Sequence, residues 1–174
     1  FWLARLQKEI ASEPQIRDVC AHCNNVVLSR LDGYICQLFD AAFIRIPERY
    51  ERVTFEHDYH LLKRWLLKVC FNSARIHDSR DLHALDAMRP YIMGENDALG
   101  RSVQLFLQLT YPEVIPEEDL STNAPPERPI CFRPTMNRVG HSFFRVHGIG
   151  EKLLRTVHIR SFTFYLAFFK PSEV

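Results

Sequence analysis

Long hydrophobic runs are missing from this sequence: no stretch approaches the roughly 20 consecutive apolar residues of a bilayer-spanning helix. An excess of either charge is missing as well, with 22 Lys and Arg against 21 Asp and Glu. No overall field therefore draws the chain to nucleic acid or to an anionic membrane, and any such contact must come from a local patch. The opening FWLARLQKEIASE interleaves Arg5, Lys8 and Glu9, so it lacks the uninterrupted apolar stretch of a secretory signal. Glycine-rich phosphate loops, nucleophile elbows, paired catalytic carboxylates, internal repeats and low-complexity tracts are also lacking, and no small-molecule substrate is indicated. The first residue is Phe1 and not methionine, and the expectation is a fragment. These absences predict a soluble, cytoplasmic protein with no membrane partner.

What is present suits a packed core. Of 174 residues, 47% are apolar and 12% aromatic, enough for one compact domain, with or without a small appendage. Five cysteines are an odd number in a chain of this size, which fits reduced thiols or a metal site better than a disulfide framework.

The periodicities predict helices first and strands after. Phe1, Trp2, Leu3, Leu6 and Ile10 fall at roughly helical spacing, closed by Ser12, Glu13 and Pro14. From Asn24 the apolar positions Val27, Leu31, Tyr34, Ile35, Leu38, Ala42 and Phe43 recur at three and four, predicting a helix to about Phe43. Val53 to His57 reads as a short strand, and Asp58 as the N-cap of the segment YHLLKRWLLKVCFNSARIH. That segment is apolar around most of its circumference and leaves a polar stripe at Arg64, Lys68, Asn72 and Arg75, so it is the expected central helix, over 58–76. A shorter helix from Asp81 to Met93, with Pro90 near its end, is expected next.

Val103 to Thr110 then alternates as a strand does. YPEVIPEEDLSTNAPPERP carries five prolines in nineteen residues and reads as a surface connection. HSFFRVHGIG and RTVHIRSFTFYLAFF read as strands. In the latter, Val157 and Ile159 are apolar on one parity and Phe162, Phe164, Leu166 and Phe168 on the other. The switch predicts a bulge or bend near Arg160 and Ser161. The expected fold class is α+β, helices followed by a small antiparallel sheet. The expected divisions are 1–45, a knuckle and its helix, and 46–174, an α+β domain, packed as one unit.

The stretch RDVCAHCNNVVLSRLD, residues 17–32, carries the sharpest chemical signal. Cys20 and Cys23, separated by two residues, can face one metal ion across a tight turn. Polar residues precede the pair, and Asn24 and Asn25 follow it at the start of an amphipathic helix. This order resembles the second zinc knuckle of HNH endonucleases, whose ββα-metal core ends in a knuckle feeding a helix. The resemblance covers residues 15–32 and extends with less specificity through the central helix. It implies a treble-clef-like zinc-knuckle remnant at the head of the chain, with Cys20 and Cys23 as two ligands of a structural zinc. Asn24 stands where many members have a ligand of the catalytic metal, and Gln15 stands near the position of their middle asparagine. The family's water-activating histidine and first CxxC lie further upstream. None of the nineteen residues before Cys20 is histidine or cysteine, so the resemblance puts those parts ahead of Phe1. It implies metal-dependent DNA hydrolysis in full length, with a catalytic divalent ion there only, and no cleavage by this chain.

Blander readings stand beside these. The two cysteines are equally small residues at a helix start, and the asparagines serve as caps. His57 and His60 would complete a Cys2His2 set only through tertiary proximity, and His22 is expected in solvent. Arg64, Lys68 and Arg75, joined by Arg45, Arg49 and Arg52, offer phosphate contacts to DNA or form a solvated face. Cys36, Cys70 and Cys131 read as core residues. His141, His147 and His158 lie on strand-like segments without an acidic neighbour in sequence. The alternative function is therefore a non-enzymatic zinc-binding, scaffold or nucleic-acid-binding domain. A third is a subunit of a mobile-element or defence system that meets its partner through the basic stripe.

Overall fold

Asp58 begins the longest helix in the way its side chain suggests: Oδ1 accepts hydrogen bonds from the backbone N–H groups of His60 and Leu61 at 2.9 and 3.0 Å, satisfying two donors that a helix start leaves free. The computed structural model describes residues 2–3, 8–9, 19–114, 131–135, 137–146 and 150–169. Within them, helix α1 (Ser29–Leu38) is flanked by wide π turns over Cys23–Leu28 and Phe39–Phe43. It packs on α2 (Tyr59–His77). Leu31, Ile35 and Leu38 of α1 and Leu62, Leu66, Leu67, Cys70 and Ala74 of α2 are buried, the stripes that a three-to-four spacing produces. Asp32 ties the two helices at the surface by accepting from Trp65 Nε1 at 3.0 Å and from Lys68 Nζ at 2.6 Å.

Four antiparallel strands form the sheet: β3 (Val103–Leu109), β6 (Asn137–Val146), β7 (Gly150–Ile159) and β8 (Phe162–Phe168), in spatial order β3-β8-β7-β6. Val157, Ile159, Phe162, Phe164 and Leu166 join the same hydrophobic cluster as Leu31, Phe43 and Leu66. One core therefore runs across the expected boundary at 45/46. Phe43 joins the helical side to the sheet, with ring centroids 4.6 Å from Phe162 and 5.6 Å from Phe164, separations typical of stabilising aromatic pairs. The expected α+β class, helices and then a small antiparallel sheet, is the observed one.

Four local expectations need correction. Trp2–Leu3 (β1) and Lys8–Glu9 (β2) pair as an antiparallel ladder where helical spacing had predicted a helix; so short an apolar pattern does not sustain a helix alone. Val53 to His57 carries no regular secondary structure and joins no sheet, with Phe55 edge-on to Phe43 at 5.4 Å. The single helix expected from Asp81 to Met93 is two, α3 (Leu82–Asp86) and α4 (Arg89–Met93), and Pro90 occupies the first turn of α4. There its missing N–H is no loss. Finally, Arg160 and Ser161 do not bend one long strand: they are the two-residue turn between β7 and β8, with Ile159 paired to Phe162 and Arg160 at φ 52°. The parity switch in the sequence marks a hairpin. Short strands β4 (Glu113–Val114) and β5 (Cys131–Phe132) pair separately.

Candidate functional site

Cys20 sits at the head of the helical run and acts as its cap. The backbone N–H of Cys23 donates to Cys20 Sγ at 3.2 Å, and that of Asn24 donates to the Cys20 carbonyl at 2.9 Å. Sulfur here does what an N-cap oxygen usually does. The two thiols consequently share one side of the first turn, Cys20 exposed and Cys23 half-buried, both free. Hydrogen bonding from the Cys23 side chain and then from its backbone N–H holds the Cys20 thiol below the usual cysteine value. The same side-chain contact, followed by desolvation and the charges of Cys20 and Glu95, raises Cys23. An asymmetric pair of this kind offers a thiolate first at Cys20.

The pair opens onto a cleft of about 820 Å³, between the head of α1 and the faces of α2 and α4. Leu28, Phe71, Ile92 and Met93 form apolar walls, and Lys68, Asn72, Arg75, Asp86, Arg89 and Glu95 supply polar groups. Two residues of the predicted basic stripe thus face the predicted zinc ligands. The cleft's cations are not all free: Lys68 of the stripe is ion-paired with Asp32, and Arg89 of α4 with Asp86 at 3.0 Å. Arg75 lies over the Phe71 ring at 5.2 Å. Arg64 belongs elsewhere, ion-paired with Asp97 and placed over the Tyr91 ring at 5.4 Å.

Other expected residues are dispersed. Asn24 is exposed in the first helical turn and donates to Asn25 Oδ1 at 3.0 Å. Gln15 and His147 lie outside the described residues, as does the side chain of Cys131. Arg45 pairs with Glu51, and Arg49 stacks on Tyr50 at 5.2 Å; Arg52 is exposed. His22 is exposed as expected. His57 is exposed, and His60 Nδ1 lies 3.0 Å from Tyr91 OH, so neither joins the cysteines. Among the described residues no group of three or more His, Cys, Asp or Glu side chains is arranged to hold a metal ion. Cys70 is core, its thiol pushed up to about 12 by burial. Cys36, expected in the core, is exposed: it lies on α1 one position past the buried Ile35, just off the apolar stripe. His141 is exposed, and His158 Nδ1 lies 2.9 Å from Thr163 Oγ1. Burial and then the charge of Arg138 hold His158 below the usual histidine value.

Sequence reasoning missed Arg89, Asp86 and Glu95, which enter the cleft from elements folded back onto α2. It also missed Lys63, which is only 2% exposed. Comparison with known proteins finds no matching family model, no matching curated protein and no matching solved structure.

Proposed function

We propose that this chain is part of an HNH-endonuclease-like protein, in which Cys20 and Cys23 supply two ligands of a structural zinc and the adjoining cleft receives DNA. The observation that carries this reading is the convergence of the thiol pair with Lys68 and Arg75 on one cleft. A zinc-ordered helix start would hold that cationic wall in register for a phosphate backbone. The lowered Cys20 thiol agrees with a metal-ligand role, since zinc binds the thiolate. The antiparallel ladder β1–β2 ahead of the thiols in sequence agrees with the hairpin-then-helix order of that family. In this reading hydrolysis needs a catalytic divalent ion and a water-activating histidine from the rest of the ββα-metal unit, with Asn24 as one ligand. This reading expects residues 1–174 to bind DNA.

A second reading, a non-enzymatic scaffold domain, is favoured by one observation: Arg64, Lys68 and Arg89 already hold carboxylate partners. Fluorescence anisotropy with a labelled DNA duplex separates the two. The nuclease-like reading expects binding that weakens with salt and falls with Arg75→Ala and Arg89→Ala. Salt-independent binding, or none, leaves the scaffold reading. Intact plasmid after incubation of a longer form with magnesium, manganese and nickel in turn would remove the enzymatic part of the proposal.

A further inference from the structure

On the opposite side of α2 from the thiol cleft, Lys63 is buried without a counter-ion. Its ammonium donates to Gly100 O at 2.6 Å, to Val103 O, and to Tyr59 OH at 3.2 Å. All three acceptors are neutral oxygens. Buried cations are ordinarily paired, because an uncompensated charge away from water is costly. Beside this one lies a pocket of about 450 Å³, lined by Tyr59, His60, Lys63, Asp97, Arg101 and Gln104 among others.

The charges around the pocket do not cancel. Asp97 is neutralised by Arg64, which leaves Lys63 and Arg101 as two positive charges with no carboxylate partner among the described residues. Hydrogen-bond donors are also available. The Tyr59 oxygen accepts from Lys63, so its own proton is free to donate outward, and His60 engages Tyr91 through Nδ1, leaving Nε2. Lys63 uses its three protons on the protein, so it contributes field and not contact. Burial pushes its ammonium down to about 8, as expected of a cation that lacks an anion beside it.

We propose that this pocket is a binding site for a phosphate monoester dianion, held by the Arg101 guanidinium, the Tyr59 hydroxyl and His60, with Lys63 as the buried counter-charge. Two unmatched positive charges suit a dianion better than a single carboxylate, and the volume leaves room for an organic group on the phosphate. The site does not depend on the zinc or DNA reading, since none of these residues lines the thiol cleft.

Isothermal titration calorimetry at constant ionic strength provides the test, with inorganic phosphate, with a 5′-phosphorylated oligonucleotide and with the same oligonucleotide bearing a 5′-hydroxyl. Saturable binding of inorganic phosphate is expected, weakened about tenfold or more by Arg101→Gln and by Tyr59→Phe, the loss of one charge-assisted bond. Both residues are exposed, so these variants keep the test valid if Lys63→Met fails to fold. Tighter binding of the 5′-phosphorylated strand than of inorganic phosphate would identify a nucleic-acid end as the source; weaker binding would identify a small phosphorylated molecule. No heat above a chloride control, or equal affinity in wild type and both variants, would overturn the proposal.

Discussion

A lysine at position 63 and a cysteine at position 20 acquire their chemistry from neighbours that sequence does not display. Lys63 sits one position after the buried Leu62 on α2 and, by pattern alone, reads as a surface cation. Its burial comes from Tyr59 and Tyr91 at either side and from the carbonyls of Gly100 and Val103. Its folded value of about 8 lies below the ordinary 10.5, so between those limits the unfolded chain holds a proton that the folded one has released. Stability should therefore rise with pH from about 8 toward 10.5 and level off below 8, where both states hold the proton. Urea unfolding of wild type and Lys63→Met across pH 8 to 10 checks this: the rise is expected in the wild type and absent from the variant. Cys20 differs from Cys23 by capping the helix, and iodoacetamide at neutral pH should modify Cys20 first and leave Cys70 unmodified in the folded protein. Peptide mass spectrometry reads the order, and earlier labelling of Cys23 would contradict the assigned cap.

At the scale of elements, a fully buried bidentate pair ties helices to sheet: Arg155 on β7 with Asp81 just ahead of α3. Both nitrogen–oxygen contacts are 2.6 Å, and both side chains are 1% exposed. Removing one partner leaves the other charge buried and uncompensated, so Asp81→Ala should cost about 3–5 kcal/mol. The double variant Asp81→Leu with Arg155→Met should cost less than the sum of the singles, as denaturant unfolding would show. Asp58→Ala should cost about 1 kcal/mol through loss of the cap. That cap, and α2 behind it, were legible because both depend on adjacent residues and a regular spacing. The Asp81–Arg155 pair joins positions 74 apart, and no local pattern announces it. The β7–β8 hairpin was half legible: parity switched at Arg160, but a bend and a turn look alike until pairing partners are known. Pro90 misled for a related reason, since the same residue that ends one helix begins another.

For the whole molecule, the order of periodicities was sufficient for the α+β class, because burying a striped helix against an alternating sheet leaves few other solutions. What sequence could not supply was convergence. Cys20 and Cys23 were conspicuous by spacing, and Lys68 and Arg75 by their stripe, yet only the packing of α2 against the helix start and α4 brings them to one cleft. Arg64, from the same stripe, is turned away to Asp97 by that packing. The proposed zinc role requires the thiol pair to act together as metal ligands at this cleft. Cobalt(II) titration of the reduced protein tests it most directly, because thiolate-to-cobalt charge-transfer absorption reports sulfur ligation even when other ligands are water. Saturable absorption in wild type, lost in both Cys20→Ser and Cys23→Ser, is the predicted result. No charge-transfer absorption in the wild type, or an equal signal in either variant, would contradict it.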